Sequence, residues 1–181
     1  MRPAARTALQ LGAITALGLA LRLASYGNSL FGDELSSYYI VTGHSMARVI
    51  HILHGHSVDL TPPLYYVLTW SAERLGESVQ GLRIVSLLAG TAAIPFTFLL
   101  GRATVGERAG IVASALVALS PFLIFYSTEA RAYALLMFLL LAVALSLVQA
   151  TRTRRVRWWV AYSACSCAVL YTHYTSVNTP V

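Results

Sequence analysis

Residues 132–151 read AYALLMFLLLAVALSLVQAT, a run of 20 residues that contains no charge and is bounded by Arg131 and Arg152. A helix rises 1.5 Å per residue, so about 20 residues cross the roughly 30 Å hydrocarbon core of a bilayer. The run therefore predicts a membrane-spanning helix.

Four further uncharged stretches of similar length lie along the chain, the first of them continuing past Arg22. Composition agrees with lipid as the solvent, because 11% of the residues are charged, against about 25% in a soluble domain. We predict an all-α fold, a polytopic transmembrane helical bundle within a single domain, 1–181. Its five spans are placed at about 7–26, 83–101, 109–127, 132–150 and 158–176.

The run 60–72 is shorter, with 13 uncharged residues, and opens on two prolines at Pro62 and Pro63. If it lies in the interface and the N-terminus is cytoplasmic, eight arginines fall inside and five outside; if it spans, these numbers reverse. The positive-inside rule favours the first arrangement. A long outer loop of about 28–82 then carries interfacial helices, one of them beginning after Ser45 as its N-cap.

The basic residues are 13 arginines and no lysine. With much Ala, Leu, Val and Gly, this bias indicates a high-GC bacterial genome, and we expect the bacterial plasma membrane as the location. The arginines gather between apolar stretches and are not interleaved with aromatics in a soluble context. We therefore expect membrane lipid, and not nucleic acid, as their partner.

Six of the seven acidic residues fall on the outer face in this topology: Asp33, Glu34, Asp59, Glu73, Glu77 and Glu129. Asp33 and Glu34 follow the first span in FGDELSSYY, 31–39, and Glu129 follows the third span in FYSTEARAY, 125–133. A carboxylate at the hydrocarbon boundary is partly desolvated and serves as a general base, and a nearby arginine can hold a phosphate bidentately. Two simpler interpretations stay open, a helix N-cap for the first pair and an interfacial ion pair for Glu129 with Arg131.

Six short motifs occur in order along about residues 5–176. They are GDE at 32–34, TPPLYY at 61–66, LR at 82–83 leading into SLLAG at 86–90, ALSPF at 118–122, YSTEARAY at 126–133 and YTHY at 171–174. In this order the chain resembles the N-terminal half of a GT-C-type glycosyltransferase. It is most similar to the glycosyltransferase 39 group, which includes protein O-mannosyltransferases and lipid A aminoarabinose transferases.

The resemblance implies a membrane glycosyltransferase that moves a hexose or pentose from a polyprenyl-phosphate donor to a hydroxyl on a glycan, lipid or protein acceptor. Transfer would occur on the extracytoplasmic side with inversion. The catalytic candidates are Asp33, Glu34 and Glu129, and the substrate-binding candidates are Arg83, Arg131, Tyr65, Tyr66 and His173. In this family the acidic residue of the first outer loop, which matches Asp33, is a general base or a metal ligand. The acidic residue of the second outer loop matches Glu129, so Asp33 and Glu129 are also candidate ligands for Mg²⁺ or Mn²⁺.

Family members have more spans than these five, so we expect the chain to be the N-terminal part of a larger membrane domain. The rival interpretation is a non-catalytic protein, either a transporter fragment or a polyprenol-binding accessory subunit. Transporters place charges and broken helices near the bilayer midplane. The charges here cluster at helix ends on the outer face, which favours the enzyme.

Overall fold

The computed structural model describes residues 3–27, 29–54, 61–74 and 79–173. These residues form helices and no strand, which confirms the predicted all-α fold. In chain order the helices are α1 (Pro3–Ser25), α2 (Glu34–Val41), α3 (Met46–His54), α4 (Pro63–Glu73), α5 (Val79–Thr104), α6 (Glu107–Leu119), α7 (Pro121–Ser127), α8 (Tyr133–Thr153) and α9 (Val156–Leu170).

Three described helices are long and apolar enough to cross a membrane: Ala4–Ser25, Gln80–Thr104 and Tyr133–Thr153. A fourth span results if α6 and α7 are counted together, although they meet at a bend of 62°. The fifth predicted span, 158–176, overlaps α9, which has 15 residues and is not among the candidate spans. Residues 174–176 of the predicted span lie outside the described part of the chain. The apolar helices form an integral membrane bundle, roughly as predicted.

The first long loop contains short helices. Helices α2, α3 and α4 have 8, 9 and 11 residues, and none is long enough to cross the bilayer. The Ser45 hydroxyl accepts a hydrogen bond from the Arg48 amide at 3.3 Å, which confirms Ser45 as the N-cap of α3. The predicted outer residues Asp59 and Glu77 lie outside the described residues.

Helix α5 runs through the middle of the bundle and packs against α4, α6 and α8. Two glycines allow close approach on its length. A Cβ at Gly90 would overlap the side chain of Ser127 in α7, and a Cβ at Gly101 would lie 2.8 Å from the Gly110 Cα in α6. Small residues of this kind let membrane helices approach closely. They bring α6 and α7 against α5 and thereby fix the position of residue 128, where the loop after α7 begins.

The bend between α6 and α7 has a local cause in the sequence. Pro121 takes the first position of α7, where its missing N–H costs nothing, and Ser120 is the N-cap, its hydroxyl accepting from the Leu123 amide at 3.4 Å. The sequence had predicted one span over 109–127. The break turns its last seven residues into a separate helix, α7.

Arg22 connects the two sides of this break and is completely buried. Its Nε donates to the Ser127 Oγ at 3.0 Å, its Nη1 to the Ala118 carbonyl and its Nη2 to the Val117 carbonyl, the last two at 3.4 Å each. A further hydrogen bond of 2.9 Å joins its Nη1 to the Gly18 carbonyl within α1. The last carbonyls of a helix lack partners within it and carry negative partial charge. The guanidinium therefore stabilises the end of α6 and holds α7 in place.

We expect Arg22→Leu to lower stability by about 1–3 kcal/mol, because buried carbonyls lose their donors while apolar volume is retained. The measurement is the thermal unfolding midpoint of the purified protein in detergent. Arg48→Leu, which removes the same charge from an exposed position in α3, serves as the control and should leave the midpoint near that of the parent. Equal midpoints for the parent and Arg22→Leu would show that the break holds without this side chain.

Candidate active site

The turn before α2 places Asp33 and Glu34 differently. Gly32 has a φ of +56°, a left-handed conformation that glycine adopts at little cost. Asp33 stands at the N-cap position of α2, but its side chain makes no capping hydrogen bond, and it is exposed. The capping interpretation therefore has no support in this structure, and the Asp33 carboxylate lies at the surface.

Glu34 is 3% exposed and forms a buried ion pair with Arg83. The Arg83 Nε donates to one carboxylate oxygen and its Nη2 to the other, both at 2.7 Å. The Ala130 amide donates to the first oxygen at 2.7 Å and the Phe31 amide to the second at 3.3 Å. Each oxygen of Glu34 thus accepts two hydrogen bonds.

The remaining donors of Arg83 hold the chain that follows α1. They reach the Tyr26 carbonyl at 2.9 Å and the Ser29 carbonyl at 3.2 Å. On the other side, the Ser37 hydroxyl donates to the Ala130 carbonyl at 2.7 Å. The ion pair therefore ties together the end of α1, the start of α2, helix α5 and the loop 128–132.

Burial alone would raise the pKa of Glu34, but its hydrogen bonds from Arg83, Ala130 and Phe31 and the charge of Arg83 outweigh that effect. The pKa lies below its usual value, so Glu34 stays ionised at neutral pH. A carboxylate with a lowered folded-state pKa contributes stability above its unfolded pKa and loses it as the pH falls through the folded value. These properties favour a role for Glu34 in positioning its neighbours over a role in proton transfer.

A cavity of about 590 Å³ opens beside this ion pair. Its charged lining residues are Glu34, Arg83 and Glu129, and its other lining residues are Leu21, Ala24, Ser25, Ser29, Phe31, Pro121, Ile124, Phe125 and Thr128. Burial raises the pKa of Glu129, the charges of Glu34 and Asp33 raise it further, and Arg131 and Arg83 oppose the rise. Asp33 is thus close enough to Glu129 for its charge to raise the pKa of Glu129. We call this region, with Asp33, Glu34, Arg83 and Glu129, the acidic end.

Arg131 lies in the same loop as Glu129 and is half-buried. Its guanidinium carbon is 6.0 Å from the centre of the Tyr133 ring. Its carbonyl oxygen accepts a hydrogen bond from the Ser86 hydroxyl at 3.0 Å, and Ser86 is 3.2 Å from the Tyr65 hydroxyl. Burial raises the pKa of Tyr65 to about 12. The loop that carries Glu129 and Arg131 is therefore held by the neutral hydroxyl group of Ser86, which in turn contacts that of Tyr65.

The other substrate-binding candidates, Tyr65, Tyr66 and His173, do not line the cavity. Tyr65 and Tyr66 are each 1% exposed and belong to the hydrophobic core. His173 is half-buried, and its ring centre lies 6.1 Å from that of Tyr133. The structure brings Asp33, Glu34, Arg83 and Glu129 together and buries the two tyrosines in the bundle. Arg131 and His173 both lie near Tyr133.

In the described residues, no three His, Cys, Asp or Glu side chains form a group that could hold a metal ion. Glu34 is also committed to Arg83, and hard divalent cations take six or more oxygen ligands. The role of Asp33 and Glu129 as metal ligands stays a prediction.

Sequence reasoning did not identify two parts of this site. The Ala130 amide that bonds Glu34 is a backbone group, which no residue type reveals. The aromatic rim is formed by Phe31, 84% exposed, and Phe125, 54% exposed. Phenylalanine lacks the polar group that draws Trp and Tyr to the membrane interface, so residue type did not mark these two positions.

The sequence model of the dolichyl-phosphate-mannose-protein mannosyltransferase family matches residues 60–181. The matched segment includes Arg83, Glu129 and Arg131, whereas Asp33 and Glu34 precede it. Comparisons with curated proteins and with solved structures found no match.

The ion pair predicts a coupled response to mutation. Glu34→Gln and Arg83→Gln should each cost about 3–5 kcal/mol, because each leaves one buried charge uncompensated. The double variant buries no charge, so its loss should be clearly smaller than the sum of the two single losses. Chemical unfolding of the four proteins gives the coupling free energy directly. Strictly additive losses would show that the two side chains do not act as a pair.

Proposed function

The chain belongs to the dolichyl-phosphate-mannose-protein mannosyltransferase family, and from that premise we propose that it transfers a sugar from a polyprenyl-phosphate donor to an acceptor hydroxyl on the extracytoplasmic side. Membership makes the protein a membrane glycosyltransferase of the GT-C type. One observation carries the finer proposal. An exposed carboxylate, Asp33, acts electrostatically on Glu129, which lines a cavity with both charged and apolar side chains.

The two kinds of lining residue suit the two parts of a lipid-linked sugar. The apolar side chains can pack against a prenyl chain, and the carboxylates can bind the hydroxyl groups of the sugar; the apolar residues include Leu21, Ala24, Ile124 and Phe125. Ligand sites combine apolar walls with a few placed polar groups in this way. A water-soluble donor would have no use for the apolar wall.

In the proposed reaction, the Asp33 carboxylate accepts the proton of the acceptor hydroxyl as the oxygen of that hydroxyl bonds to the anomeric carbon. The bond between the anomeric carbon and the donor phosphate oxygen breaks, and the lipid phosphate leaves with the electron pair. A single displacement of this kind inverts the configuration at the anomeric carbon. Glu34 is poorly suited to act as this general base, because each of its oxygens already accepts two hydrogen bonds.

Glu129 and Arg131 take the flanking roles. Glu129 lines the cavity with a raised pKa, which suits a group that holds a sugar hydroxyl and exchanges a proton with it. Of the two candidate arginines for the donor phosphate, Arg83 is 2% exposed and bonded to Glu34, Tyr26 and Ser29. The half-buried Arg131 is better placed to neutralise the charge that develops on the leaving phosphate.

We expect Asp33→Asn to lower turnover by about 10²–10⁴-fold, because it keeps the shape of the side chain and removes its basicity. Turnover is measured with a polyprenyl-phosphate sugar and the complete gene product in detergent. Glu73→Gln makes the same change of charge in α4, outside the cavity, and should turn over like the parent. Near-parental turnover by Asp33→Asn would remove Asp33 as the base.

Arg131→Lys should weaken apparent donor affinity by about ten- to a hundred-fold, because lysine keeps the charge and loses the bidentate geometry. The donor KM under saturating acceptor is the measurement. Arg74→Lys is the matched control, since Arg74 is exposed in α4's C-cap and lies 3.7 Å from the Trp70 ring centre. If Arg131→Lys and Arg74→Lys both keep the parental donor KM, Arg131 does not contact the phosphate.

A further inference from the structure

A second cavity lies at the end of the bundle opposite the acidic end. It has a volume of about 630 Å³ and opens between the first turns of α1 and α6. These helices run side by side in the same direction, since Thr7 contacts Glu107 near their starts and Arg22 contacts Ala118 near their ends. Nothing in the proposed sugar transfer uses this cavity.

The cavity carries a net positive charge. Arg6 from α1 and Arg108 from α6 both line it and are exposed, and neither forms an ion pair with a carboxylate in the described part of the chain. The one carboxylate present, Glu107, accepts a hydrogen bond from the Thr7 hydroxyl at 2.5 Å. Two guanidinium groups from different helices thus line the cavity, and its one carboxylate, Glu107, is already hydrogen-bonded to Thr7.

The apolar surface next to the cavity indicates what kind of anion fits. Ile111 and Val112 line its inner side, and Val112 is 60% exposed. The exposed surface continues along the two helices with Leu9, 65% exposed, and Leu116, 67% exposed. Both helices belong to candidate membrane spans, so this strip offers an apolar surface to an acyl chain. A ligand that fills the cavity therefore has an anionic head between the arginines and an apolar chain along Val112 and Leu116.

We propose that this cavity binds the headgroup of an anionic phospholipid. Basic pockets between transmembrane helices recognise anionic lipid headgroups, and guanidinium groups bind phosphate oxygens with good geometry. The arginines between α8 and α9, by comparison, are exposed and line none of the described cavities. They satisfy the charge asymmetry of a membrane protein, whereas Arg6 and Arg108 also form a defined site.

The test is lipid binding by the complete protein in detergent, measured by native mass spectrometry and by the shift of the unfolding midpoint. Phosphatidylglycerol should bind and raise the midpoint, zwitterionic phosphatidylcholine should bind at least tenfold more weakly, and glycerol phosphate without chains should have no effect. These three comparisons use the unmodified protein and need no variant.

The double variant Arg6→Gln/Arg108→Gln should lose at least tenfold in affinity for phosphatidylglycerol. Arg154→Gln/Arg155→Gln, with the same change of charge at the connection between α8 and α9, should bind it like the parent. Equal binding of the two phospholipids, an equal effect of glycerol phosphate, or equal losses in the two double variants would each overturn the proposal. Asp33→Asn should bind phosphatidylglycerol normally, so this result is independent of the outcome for sugar transfer.

Discussion

The buried ion pair of Glu34 and Arg83 is the contact on which the acidic end depends. Removing two charges from water costs several kcal/mol for each ion, and their attraction offsets that cost when the remaining hydrogen-bonding groups are also satisfied. Here backbone amides complete the carboxylate, and backbone carbonyls complete the guanidinium. The pair therefore fixes the main chain at four residues, Tyr26, Ser29, Phe31 and Ala130, and the geometry of the cavity follows from it.

Two adjacent carboxylates have opposite environments as a direct result. Successive residues in a helix are separated by about 100° around its axis, so a turn that buries Glu34 against α5 leaves Asp33 at the surface. Glu34 is ionised and saturated with hydrogen bonds, whereas Asp33 is exposed beside a second carboxylate, Glu129. The residue that builds the site and the residue proposed to act in it are neighbours in the chain.

Much of the fold follows from patterns that the sequence displays. Charge-free runs located the long helices α1, α5 and α8, and Ser45 marked the start of α3. The bend at Ser120 was missed because a run of uncharged residues hides a break that one proline produces. The sequence also grouped the acidic residues at one interface. It did not distinguish Asp33 from Glu34, since their difference depends on Arg83, 49 residues away, and on a backbone amide 96 residues away.

Those separations bear on how the protein is made. Synthesis proceeds from the N-terminus, so Glu34 leaves the ribosome before its cation exists and well before the amide of Ala130. Until α5 arrives, an ionised Glu34 has to remain in water, because an unpaired charge is too costly to bury. The loop that carries Glu34 therefore stays hydrated, and it packs onto the bundle only when Arg83 is in place. The acidic end is assembled only after α5 and the loop 128–132 have been synthesised.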